Sequence, residues 1–149
     1  MGQQQLLLLV LGIVIVGLAV VVGIQAFGEN QKKANSDALV NDAIRIASDA
    51  QAWNLKPQAF GGGNGSFADL KMTGLGYDAT VGVYDNLNGT FAFTAIAAGE
   101  ITITGCSLAQ IGDTWNQVTV VVDGTAPDNI ETTVAPAAAD CTPTTAESA

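Results

Sequence analysis

Histidine is absent from the 149-residue chain, which removes the commonest general base and the commonest metal ligand. A serine nucleophile would need lysine or another base beside it, and none clusters with a serine. Cysteine occurs twice, at Cys106 and Cys141, too far apart and too few for a zinc site without histidine. An enzyme is therefore the class the residues support least, and no cofactor is expected. Basic residues are also scarce, and all five (Lys32, Lys33, Arg45, Lys56, Lys71) lie in the first half. Residues 1–71 carry five acids and are neutral, while residues 72–149 hold nine acids and no base, the whole net charge of −9. Such a half repels phosphate backbones, so no nucleic acid is expected on it. Solubility outside the cell is the plainer meaning of that charge. Proline is missing before Pro57, so nothing in the first third forbids a long helix.

What is present begins with "MGQQQLLLLVLGIVIVGLAVVVGI". From Leu6 to Ile24 run 19 residues without a charged or polar side chain, about 28 Å as a helix, close to the hydrocarbon thickness of a bilayer. A secretory signal peptide would show a basic start and a small-residue cleavage site, and neither is convincing here. Lys32 and Lys33 follow the run with no base before it. Read as a simple anchor, that would put the rest in the cytoplasm, against the cysteine pair and the acidic, Gly/Thr-rich half. A basic leader removed by processing would resolve the conflict.

Beyond Asn30 the pattern becomes amphipathic. Leu39, Ala43, Ile46, Ala50 and Trp53 form one helical stripe, widened by Val40, Ile44 and Ala47, with Asp37, Asp42, Arg45 and Asp49 mostly on other faces. Pro57 is the expected stop. Gly12, Gly17, Gly23 and Gly28 weaken helix propensity, and in an apolar helix such residues more often permit close helix–helix contact. A helix of about 55 residues is about 80 Å long, so half of it must protrude from a domain this small. "FGGGNGSF" (60–67) then reads as a flexible connector, without the lysine and hydroxyl residue of a phosphate-binding loop.

The period changes to two after residue 78. Strands are expected near 79–84, 90–96, 100–106 and 116–124, with a short one near 130–134. Asn88-Gly89 is a strong hairpin signal and Ala98-Gly99 a weaker one. Short connections imply an antiparallel meander with one face on the helix. Phe91, Phe93, Ile101, Ile103, Val118, Val120 and Val122, with Trp53, are the candidate core. Outside the cytoplasm, Cys106 and Cys141 would form a disulfide; two free thiols are the alternative. "DNLNG" (85–89) and "DGTAPDN" (123–129) gather oxygen ligands, but turn chemistry explains them more cheaply than calcium. In the Ala/Thr/Pro-rich tail, Thr142, Thr144, Thr145 and Ser148 are candidate glycosylation sites, and an undecorated irregular end is the alternative.

The expected fold class is α+β. A long N-terminal helix, 1–56, protrudes through its apolar part, 1–27, and packs its amphipathic half on a small antiparallel sheet. A glycine-rich loop spans 57–78, the sheet head 79–134 and the tail 135–149. This layout resembles type IV pilins and the related pseudopilins of secretion systems, and "LLLLVLGIVIVGLAVVVGI" resembles the pilin N-terminal segment. The resemblance implies a leader cut by a prepilin peptidase, N-methylation and residence in the inner membrane before assembly. It then implies a helical homopolymer outside the cell, built by pilus assembly machinery; adhesion, motility and surface spacing are roles such a filament could serve, and the sequence does not choose among them. Short secretion assemblies or a single-span anchored binding domain are the alternatives.

The chain departs from the family at two points. The usual glutamate five residues into the mature chain is missing: Gln5 stands there if Met1 is first, Leu7 if cleavage follows Gly2. The usual proline of the apolar segment is missing too. In a dry filament core each polar group needs a partner. A glutamine can accept from a neighbour's terminal amine and donate in return without burying net charge. Gln3, Gln4 and Gln5 are thus the candidate register-setting residues, with Gly12, Gly17 and Gly23 at helix contacts; three amides resting at the membrane interface are the simpler alternative.

Overall fold

The computed structural model describes residues 2–110, 114–137 and 141–147. One helix, α1 (Gly2–Leu55), runs without a break from the apolar segment into the head. Six strands follow: β1 (Ala79–Thr80), β2 (Val83–Asp85), β3 (Gly89–Ile96), β4 (Glu100–Ser107), β5 (Trp115–Asp123) and β6 (Ile130–Ala137). They form one antiparallel sheet in the order β1-β2-β3-β4-β5-β6, the α+β, pilin-like arrangement expected.

The core lies between the second half of α1 and one sheet face. Leu39, Ala43, Ile46, Ala47 and Ala50 on the helix meet Phe91, Phe93, Ile101, Ile103, Val118, Val120 and Val122. The strand residues are every second one, as a sheet with one buried face requires. Gly105 stands opposite Phe91, and a Cβ there would come within 2.5 Å of the Phe91 ring, so only glycine lets that ring lie flat in the core. Trp53 is half-buried and packs on the cluster's rim. Ile44, expected to widen the helical stripe, is 38% exposed, because it sits on the helix flank beyond the sheet's reach.

Three other expectations need correction. The stretch 79–84 is not one strand. Val81 and Gly82 both take positive φ and turn the chain, so β1 and β2 form a tight hairpin with Thr80 opposite Val83. The last strand is longer than 130–134 and reaches Ala137, because β5 offers it a full-length partner. The glycine-rich stretch is not a flexible connector. Gly63, Gly65 and Asn64 donate their N–H groups to the carbonyls of Trp53, Asn54 and Lys56, satisfying acceptors that the helix end leaves open. A Cβ on Gly63 would meet the Ser66 carbonyl at 2.0 Å and the Trp53 ring at 2.4 Å. The loop then sends Phe67, Leu70 and Met72 into the core, each almost fully buried, and Phe67 N–H donates to Ala98 in the β3–β4 turn.

Candidate assembly surface

Among the described residues, the first half of α1 packs against nothing in its own chain. Every residue from Gly2 to Phe27 is exposed, Leu6 at 67% and Ile24 at 68%. The helix is long and apolar enough there to cross a membrane. Residues at about 100° per step distribute this surface. Gln3, Gln4 and Gln5 therefore point in three directions and form a collar rather than a stack. Gln5 shares a face with Gly12 and Gly23, which lie three turns apart. Gly17 lies on the far side, about 140° round, and shares its face with Gly28. No atom lies within 4 Å of a Cβ built on any of these four glycines, so each marks an open notch. Two notched faces on one helix permit close approach by two neighbours.

The second half of α1 is also tied to the head by a polar row, two members of which, Asp42 and Asp49, the sequence reading placed off the apolar stripe. Asn35, Asp42 and Asp49 stand seven residues apart and so share one side of the helix. Asn35 Nδ2 donates to the Asn88 carbonyl at 3.1 Å. Asp42 Oδ2 accepts from Asn86 Nδ2 at 2.9 Å and Asn88 Nδ2 at 2.7 Å. Asp49 Oδ2 accepts from the Tyr77 hydroxyl at 2.5 Å. Burial and then the Asp49 carboxylate push the Tyr77 hydroxyl well above the ordinary tyrosine range. Across the helix, Gln51 Nε2 donates to the carbonyls of Gly124 and Ala126, and the buried Asn116 amide donates to the Lys32 carbonyl and Asn35 Oδ1. The seven-residue spacing was visible in sequence; what it would touch was not.

These bonds account for the suspected calcium loops. Within 85–89, Asn86 Oδ1 caps the turn by accepting from the N–H groups of Asn88 and Gly89, while both amides serve Asp42. Among the described residues no group of three or more His, Cys, Asp or Glu side chains is placed to hold a metal ion.

Cys106 on β4 and Cys141 are joined as a disulfide, with Cα atoms 5.5 Å apart. Residues 142–147 have no regular structure, yet they are held. Ala146 N–H donates to the Phe93 carbonyl on the stretch of β3 that the short β2 leaves unpaired. Glu147 Oε1 accepts from the Met72 N–H at 2.7 Å. Of the candidate glycosylation residues, Thr142 and Thr144 are exposed. Thr145 is half-buried, and its hydroxyl accepts from the Glu147 N–H. Ser148 lies outside the described residues.

Comparison with protein-family models, with characterised proteins and with solved structures finds no match to this chain.

Proposed function

We propose that the chain is a structural subunit of an extracellular, pilus-like filament. One observation carries the reading: a single unbroken helix joins a closed, disulfide-linked head to an apolar rod of membrane length that has no intramolecular partner among the described residues. Apolar surface of that extent must be covered by lipid or by other helices. The notched faces and the amide collar support cover by other copies. In this reading the chain waits in the inner membrane, a prepilin peptidase and assembly machinery act on it, and the helices then bundle. The acidic sheet, with no base after Lys71, forms the filament's surface. The role is structural, not catalytic.

Electron microscopy of material sheared from producing cells, with the chain confirmed by mass spectrometry, tests this. Thin uniform filaments made mainly of this chain are the expected result. Recovery only in membrane vesicles, with no filaments, would favour a single-span anchored domain instead.

A further inference from the structure

The two edges of the sheet differ. One ends in the two-residue β1, and the part of β3 beyond β2 is covered by Ala146. The other is β6, eight residues long, with six of them exposed and Glu131 as its one charge. Among the described residues nothing pairs with its outer side. Folded proteins normally guard such an edge with lysines, bulges or a covering segment.

The direction of the free backbone groups can be worked out. Asn116 N–H donates to Ser107 Oγ, on the β4 side of β5. A residue's N–H and C=O leave a strand on the same side, and the side alternates along the chain. Val118 and Val120 therefore face β4 as well. Their β6 partners Val134 and Thr132, and Pro136 opposite Asn116, present their groups outward. A proline whose missing N–H faces outward is where an edge tolerates one. On β1 the two-residue turn makes Thr80–Val83 the hydrogen-bonded pair, so Ala79 presents outward.

Register then links the two edges. Ala79, Tyr84, Phe91, Gly105, Val118 and Val134 lie opposite one another in succession across all six strands. A second row, one residue nearer the membrane end, runs from Asp85 through Thr90, Cys106 and Gln117 to Ala135. Ala79 and Tyr84 pack on the core, so Thr80 lies on the sheet face away from α1; Thr133, next to Val134, lies on that same face, and both threonines are exposed. Because the strand number is even, β1 and β6 run antiparallel. A copy shifted sideways thus meets its neighbour in the antiparallel sense of the rest of the sheet, with both helices pointing the same way. An antiparallel twofold β6–β6 pairing would point the helices in opposite directions, which one membrane does not allow.

We infer that the heads join edge to edge: β6 of one copy pairs with β1 of the next, Val134 opposite Ala79 and Thr133 opposite Thr80. The contact is heterologous and self-propagating, so it extends into rows or helical arrays. It deepens the filament reading and rests on it for the shared helix direction.

The test is disulfide trapping of the full-length Thr80→Cys/Thr133→Cys chain, assembled from an equal mixture of ¹⁴N- and ¹⁵N-labelled preparations and mildly oxidised. Links between position 80 of one copy and position 133 of the next, carrying both isotopes, are expected. Val134→Pro removes only an outward N–H and leaves the β5 ladder intact; it should cut these links roughly tenfold while thermal unfolding of the head is unchanged. Filaments without such links would overturn the inference and leave the filament reading standing. Links in membrane arrays without filaments would do the reverse. Neither links nor filaments would overturn both.

Discussion

At the residue scale, the head is held to α1 by a few carboxylates and amides whose partners are distant in sequence. Asp42 accepts two side-chain amides from the β2–β3 turn, so its loss strands both. Asp42→Ala should destabilise the full-length chain in detergent by about 1–3 kcal/mol, read from denaturant unfolding of tryptophan fluorescence. Tyr77 gives a pH signature. Its folded-state pKa lies above that of the unfolded chain, so the native state keeps its proton after the unfolded state has released it. The associated stability is fully present below the ordinary tyrosine pKa of about 10 and is lost as pH rises beyond it. Tyr77→Phe should therefore flatten the stability decline above about pH 10, measured by thermal melts across an alkaline series. A slope equal to that of the parent chain would show that Tyr77 does not carry it.

At the element scale, the connector 60–67 is the largest departure from the sequence reading. Four glycines between 61 and 65 suggested mobility. The N–H groups of Gly63 and Gly65 instead close the end of α1, and the loop aims Phe67 into the core between helix and sheet. Phe67→Ala should cost about 3–5 kcal/mol, the range for an emptied aromatic site, and should lower the midpoint of head unfolding without altering membrane insertion. A change within 1 kcal/mol would mean that the loop is a lid and not part of the core. The β1–β2 hairpin shows the same limit of sequence reading. "TVGVYD" alternates well enough to pass for one strand, and only the positive φ values at Val81 and Gly82 divide it.

At the scale of the whole molecule, the chain is a closed head on an open rod. The Cys106–Cys141 bond ties the last segment to β4 across 35 positions, and chain-entropy reasoning assigns such a link about 3–4 kcal/mol. Reduction should lower the unfolding midpoint accordingly. It should also speed amide exchange at Ala146, whose N–H is held at Phe93. In the proposed filament the rod carries the assembly. Gln5→Leu replaces the amide that shares a face with Gly12 and Gly23. It should reduce filament yield several-fold while leaving insertion into membranes intact, because leucine suits lipid better than glutamine does. Unchanged filaments from that variant would remove the collar from the assembly scheme.

The sequence by itself determined the rod, the amphipathic stripe, the strand alternation and the charge asymmetry. Each is a local pattern, written in the spacing of neighbouring residues: 19 apolar residues in a row, Leu39 to Trp53 at helical spacing, Phe91 and Phe93 or Val118 to Val122 at spacing two. The disulfide was legible too, because only two cysteines exist to pair. Tertiary structure alone decided which polar residues matter. Asp42 and Asp49 resemble solvent-facing acids until Asn86, Asn88 and Tyr77 arrive from 28 to 46 positions away. It alone folded the glycine loop into the core and set Ala79 level with Val134 at opposite edges of the sheet. Long-range register and shared hydrogen bonds have no period in the chain; they exist only once the strands are laid side by side.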